Sequence, residues 1–123
     1  MTVSRSMFVI AVPDLKRSAE FYSNALGFEV HEMAPGWRMY RNGECRIMAG
    51  ECRDALAPAE LGDHSYYAYL VVDDVAAYLE RARANGGEIL KSLRDEPWGM
   101  REFAMRTIDG HRIMVGQELA RRA

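Results

Sequence analysis

Two cysteines, three histidines and eight methionines are the soft or titratable side chains of this 123-residue chain, and their spacing limits its chemistry. Cys45 and Cys52 stand seven apart with no second pair. That pattern fits neither a zinc knuckle nor a redox Cys-x-x-Cys, so both read as reduced thiols. There is no Gly-x-Ser-x-Gly elbow, no phosphate loop, no Cys-His pair at a useful spacing and no acid pair whose proximity the sequence establishes. Nucleophilic catalysis has no visible apparatus. What remains is soft and flat. Flexible thioethers suit a pocket that repacks around a bulky guest, although the same methionines also fill cores. Trp37 and Trp98 each stand beside a Gly or Pro turn, where a large ring is more easily presented at a rim than buried.

The elements that must position these residues occur twice. The phrase RIMAGE at 46–51 returns as RIMVGQ at 112–117, and each copy ends a segment of the same build. In the first, the apolar run 7–12 reads as a strand. Asp14 caps a helix with Leu15, Ala19, Tyr22 and Leu26 on one face, and Gly27 stops it. Strands are expected over 28–33, 37–41 and 45–50, with turns at Pro35-Gly36 and Asn42-Gly43. In the second, 66–72 is a strand and Asp73 or Asp74 caps a helix with Val75, Tyr78, Leu79 and Ala82 inward. Asn85-Gly86-Gly87 ends that helix, and strands follow over 88–93, 101–106 and 112–116. The expected fold class is α+β: one domain over 1–123, with two tandem βαβββ modules at 7–51 and 65–117 forming curved mixed sheets around a shared cleft. Residues 53–63, rich in Ala, Pro, Gly and acid, read as a linker, and Arg121 and Arg122 close a polar tail.

Composition narrows the partners. A 14.0 kDa chain with 49% hydrophobic residues is long enough to bury a core, and a net charge of -2 with no basic run argues against nucleic acid. No stretch reaches membrane length, and the apolar run near the N-terminus is too short for a signal-peptide core, so the expected location is the cytoplasm.

With those residues in hand, the chain resembles the vicinal oxygen chelate superfamily, which holds glyoxalase I, extradiol dioxygenases, and fosfomycin- and bleomycin-resistance proteins. The carriers are VPDLKRSAEFYSNALGFEV at 12–30, VVDDVAAYLERARANGGEI at 71–89 and PWGMREFAMRTIDGHRIMVG at 97–116. The last is most similar to the bleomycin-resistance branch. The resemblance implies four metal ligands on the first and last strands of the modules, and it places those positions at Met7, Met48, Tyr67 and Met114. None is a hard donor, and a thioether serves zinc, magnesium, manganese or ferrous iron poorly. The expectation is therefore a cavity with no metal and no cofactor. His31, His64, His111, Glu44, Glu51 and Glu102 are the imidazole and carboxylate candidates for a rescued metal site.

Strand alternation puts Met7, Val9 and Ala11, or Tyr67, Tyr69 and Val71, on the ligand-position face, joined by Arg46 and Met48, or Arg112 and Met114. The resemblance places the Pro97-Trp98-Gly99 loop at the cleft. Arg101 and Glu102 lie on opposite faces of their strand, so only one of them points inward. The expected ligand-binding set is Trp98, Trp37, Phe103, Met7, Met48, Tyr67, Tyr69, Met114 and Arg101, with catalytic residues unassigned. The leading expectation is a homodimer that binds a small aromatic or amphipathic molecule without metal, as in antibiotic sequestration and resistance. The alternatives are a metal-dependent glyoxalase-like lyase, isomerase or dioxygenase with a non-standard ligand set, and a scaffold whose cleft takes a protein segment.

Overall fold

The computed structural model describes residues 1–62 and 64–120; the tail carrying Arg121 and Arg122 lies outside the described residues. β1 (Phe8–Val12) leads through Pro13 into α1 (Leu15–Asn24), followed by β2 (Glu29–Glu32), β3 (Trp37–Asn42) and β4 (Cys45–Glu51). A short 3-10 turn at Pro58–Leu61 interrupts the expected linker. The order then repeats as β5 (Tyr66–Val71), α2 (Val75–Ala84), β6 (Glu88–Asp95), β7 (Met100–Arg106) and β8 (Arg112–Glu118). Both sheets have the same strand order, β1-β4-β3-β2 and β5-β8-β7-β6, with the first and last strands parallel. The chain is thus α+β, built of two tandem βαβββ modules whose mixed sheets stay open.

The local chemistry is duplicated too. Asp14 and Asp74 cap the helices by accepting the backbone N–H of Arg17 at 3.1 Å and of Ala77 at 3.0 Å. The last residue of each repeated phrase covers a second orphan donor: Glu51 Oε2 accepts from the Leu15 N–H and Gln117 Oε1 from the Val75 N–H, each at 3.0 Å. Gly27 and Gly86 leave the helices at φ +74° and +98°, a conformation that a side chain would strain. One turn differs by a residue from the expectation. Asn42 pairs with Cys45 as the last step of the ladder, so the β3–β4 loop is Gly43-Glu44.

The helix-bearing faces form one core, in which Ile10, Val12, Phe21, Tyr22 and Tyr40 of the first module join Val75, Leu79, Phe103 and Met105 of the second. Polar contacts tie the two halves together. The Tyr22 and Tyr67 hydroxyls lie 2.6 Å apart, Tyr78 Oη donates to the Leu26 carbonyl at 2.6 Å, and the Arg81 guanidinium donates to the carbonyls of Ser23 and Asn24. The opposite, helix-free faces do not cover each other: Val9 and Val71 on them remain 64% and 60% exposed. A cleft shared by the two modules is not closed within one chain.

Candidate functional site

Strand register arranges each helix-free face in three rows. On the second module, read from β5 to β6, the rows are Tyr66, Arg112, Arg106 and Glu88; then Tyr69, Met114, Ala104 and Lys91; then Val71, Gly116, Glu102 and Arg94. On the first module, Arg46, Arg41 and Glu29 form the first row, Val9, Met48, Met39 and His31 the second, and Ala11, Gly50 and Trp37 the third. The equivalence of the repeated phrases therefore extends across both sheets.

The rows separate the expected site residues. Met48, Met114, Tyr69 and Trp37 lie on the helix-free faces, and Met7 precedes β1 on the side of Val9 by alternation. Tyr67 does not share that face. The β5 register shifts between Tyr66 and Ala68, and this bulge turns Tyr67 toward the core, where its hydroxyl meets Tyr22 and its ring packs edge-on against Phe8 and His111. Tyr66 takes its place beside Arg112. Phe103 pairs with Val115 on the helix side and is fully buried, so it belongs to the core. Arg101 is also on the other side from the rows, where it is ion-paired with Asp95 at 2.6 Å. Glu102 is the residue of that pair that faces the site.

Glu102 organises the top of the second face. It is only 1% exposed, yet three donors reach its carboxylate: Trp98 Nε1 at 2.8 Å and Tyr69 Oη at 3.0 Å on Oε1, and Lys91 Nζ at 3.1 Å on Oε2. Lys91 also lies 3.1 Å from Glu96 Oε1, the oxygen that Arg94 pairs as well. Burial raises the Glu102 pKa, but the hydrogen bonds from Trp98, Lys91 and Tyr69 outweigh it and hold the carboxyl below its usual range. The same carboxylate, after burial, is what pushes the Tyr69 phenol up. Glu102 is thus an anion whose bonding capacity its own neighbours largely fill. Its structural effect is to pin two aromatic rings.

Trp98 is the more prominent of the two. Its N–H is committed to Glu102 and does not point to water, the ring is 61% exposed, and Lys91 Nζ lies 5.7 Å from its centroid. Trp37 lies flatter, 38% exposed over Gly50, where an added Cβ would come within 2.7 Å of the indole. Gly116, the equivalent glycine, sits under the Tyr69 hydroxyl, which an added Cβ would meet at 2.1 Å. The glycine in both copies of the phrase is a signal that could have placed Trp37 and Tyr69 there, because a glycine inside a strand marks a close approach. Glu102, Lys91 and Tyr66 had no comparable signal.

Two concavities adjoin these faces. One of about 300 Å³ lies over Val9, Ala11, Trp37 and Gly50. A larger groove of about 510 Å³ follows the free edge of β5, with Phe8, Phe28, Cys45 and Tyr78 opposite Tyr69 and Val71. The larger groove meets the second face at Tyr69. Asn42 and Glu44 add polar groups to its lining, but the Asn42 amide and the Tyr78 hydroxyl both donate to the Leu26 carbonyl, and the Cys45 thiol is pushed up by burial, away from reactivity. The rows of the second face carry the richer chemistry.

Among the described residues the donors needed for a metal do not converge. His31 is exposed on β2, His111 is on the core side with its pKa lowered by burial, Glu51 caps α1, Glu44 is in a hairpin loop and Glu102 is occupied. Among the described residues no group of three or more His, Cys, Asp or Glu side chains could hold an ion. The positions the resemblance points to carry thioethers and a phenol, a poor set for a hard divalent cation. The residues present do not fit that metal.

The fold and its duplicated register define a paired-module protein, and the family's sequence profile agrees. The Glyoxalase/Bleomycin resistance protein/Dioxygenase superfamily profile matches residues 5–115, and the chain belongs to that superfamily. Among solved structures, the hypothetical protein SA1046 from S. aureus is similar at 19% identity and TM-score 0.77, covering 95% of each chain. TioX from Micromonospora sp. ML1 is similar at 23% identity and TM-score 0.73, covering 94% of this chain and 100% of that one. A glyoxalase/bleomycin resistance protein/dioxygenase family enzyme from Burkholderia phytofirmans PsJN is similar at 18% identity and TM-score 0.76, covering 93% and 98%. At these identities the likeness is one of fold. No curated protein matches the chain in sequence. Among the described residues no helix is long and apolar enough to cross a membrane.

Proposed function

We propose that this protein binds a small aromatic or amphipathic molecule without metal, on the helix-free face of its second module. One observation carries the reading: Glu102 holds the Tyr69 hydroxyl above Gly116 and tethers the Trp98 N–H, so that an indole 61% exposed, with Lys91 over its ring, is fixed as a stacking platform. Mobile thioethers at Met114, and at Met48 and Met39 on the first module, line the neighbouring rows and adapt to the shape of a guest. Sequestration of an antibiotic, as in the bleomycin-resistance branch of the superfamily, is one biological use of such a site. Free Cys45 and Cys52 fit a reducing cytoplasm.

The test is a thermal-shift screen of planar aromatic compounds with and without chelator, since a ligand that binds the native state raises the melting temperature by mass action. Stabilisation that survives chelator, with no stoichiometric divalent metal in the purified protein, is the expected result. About one zinc, nickel, manganese or iron per chain, lost together with binding on chelation, would overturn the reading.

The binding form is a homodimer. Val9, Val71, Trp37, Tyr69 and Trp98 are large exposed apolar side chains on the helix-free faces, and β1 and β5 are edge strands with free backbone groups. A second chain laid across them would cover both and close the cleft that one chain leaves open. Light scattering after size exclusion should give twice the 14.0 kDa chain mass at micromolar concentration, and a monomer mass would count against it.

A further inference from the structure

The arginine of the repeated phrase lies in the first row of each helix-free face and has no role so far. Arg112 stands directly across from Arg106, and Arg46 directly across from Arg41. Like charges placed opposite each other in a sheet repel. Each row holds a single glutamate, Glu88 beside Arg106 and Glu29 beside Arg41, so each carries one positive charge in excess. Glu88 is committed to Arg106, whose Nη1 it meets at 2.7 Å. Arg112 is left with no ion pair or hydrogen-bond acceptor for its side chain among the described residues, and the same holds for Arg46 and Arg41 on the first module. The Nε atoms of both Arg106 and Arg112 are buried without an acceptor. Buried donors in this condition call for an explanation, because they have lost water and gained nothing in exchange.

From this geometry we propose that the Arg106–Arg112 pair receives the acidic group of the ligand, so that the guest is an aromatic or amphipathic acid bearing a carboxylate, sulfonate or phosphate. This rests on the binding role proposed above for the same face and adds the chemical class and orientation of the guest. A guanidinium presents a planar fork that matches the paired oxygens of such groups. The ring of Tyr66 flanks Arg112 in the row. Two residues along the strands, about 7 Å away, lies the Met114 and Tyr69 row, and about 13 Å away lies Glu102 with its tethered Trp98. An acid held at the arginines therefore lays its apolar body over Met114 toward the indole. The first module offers Arg46 with Met48 and Trp37 in the same sequence of rows, which is why the arginine recurs in both copies of the phrase. The charge preference is opposite to that of a receptor for a cationic drug.

The experiment compares two fluorescent probes that share a ring system, anilinonaphthalenesulfonate and its uncharged analogue phenylnaphthylamine. The parent should bind the sulfonate more tightly, with an affinity that falls as salt rises while that of the neutral probe does not. Arg112→Gln should weaken the sulfonate about tenfold or more and leave phenylnaphthylamine within about twofold, the loss expected for a hydrogen bond to a charged group. Arg112→Lys should recover part of the loss, because it keeps the charge and loses the fork. Arg83→Gln, on the exposed side of α2, should change neither probe. If Arg112→Gln does not fold, the Lys variant and the salt dependence of the parent decide the matter. A parent that binds phenylnaphthylamine as tightly as the sulfonate, or an Arg112→Gln variant that loses its dimer while keeping sulfonate affinity, overturns this inference and leaves the binding role standing. A parent that binds neither probe removes both.

Discussion

Trp98→Ala should weaken a planar uncharged guest such as phenylnaphthylamine by roughly thirtyfold, about 2 kcal/mol, the loss typical of truncating an aromatic anchor. The melting temperature should fall by only about a few degrees, because a ring 61% exposed contributes little to the core. What the fold does lose is one donor to Glu102, whose carboxylate keeps Tyr69 and Lys91. Trp98→Phe separates the two contributions. It restores a stacking face without the N–H, so it should recover much of the affinity if stacking dominates and little of it if the tether to Glu102 sets the ring's orientation. Titration of the probe against parent and both variants, with melting curves alongside, checks this. Parent-like binding by Trp98→Ala would place the guest elsewhere on the molecule.

The module architecture was legible because its signals are local. An aspartate at each helix start, a glycine at each helix end and the repeated phrase each act within a few residues of chain, and the two halves agree with each other. Their agreement mattered more than any single signal: Asp14 and Asp74 cap with the same bond, and Glu51 and Gln117, which merely close the two phrases in sequence, reach back to the same backbone position of their respective helices. The strand faces were legible wherever the alternation is unbroken, as for Met48, Met114 and Tyr69.

The site was less legible for two physical reasons. One is register. A single bulge in β5 reverses the face of Tyr67 and substitutes Tyr66, and a run reading Tyr-Tyr-Ala-Tyr gives no local sign of where the extra residue falls. The other is that the most connected residue of the site is a buried carboxylate. Glu102 gains its role from Trp98, Lys91 and Tyr69, which reach it from a turn and two other strands, and no pattern along one strand contains those partners. The choice between Arg101 and Glu102 follows from pairing alone, since Glu102 faces Gly116 across the ladder while Arg101 faces Gln117. The arginine row was visible only in part: Arg46 and Arg112 stand out as repeats, but their opposition to Arg41 and Arg106 belongs to the ladder.

Phe103 gives the sharpest contrast with Trp98. The two stand five residues apart, and the sequence placed both at the ligand. In the fold, Phe103 lies opposite Val115 on the helix side and is fully buried in the core that the two modules share. Its ring leaves no surface for a guest, so truncation acts on stability. Phe103→Ala should cost about 3 to 5 kcal/mol, the combined loss of burial and the cavity that remains. In a domain of this size that lowers the melting temperature by more than about 10 °C. Phe103→Leu keeps most of the volume and should cost less, about 1.5 kcal/mol or below if the site repacks. Below its lowered transition the Leu variant should bind the neutral probe as the parent does, because Glu102, Trp98 and Tyr69 are untouched. Denaturant unfolding of the parent and the two variants, read together with probe titration at a temperature where all are folded, distinguishes the roles. A Phe103→Leu protein that is as stable as the parent but fails to bind would return this ring to the site and show that the helix side, not the open face, receives the guest.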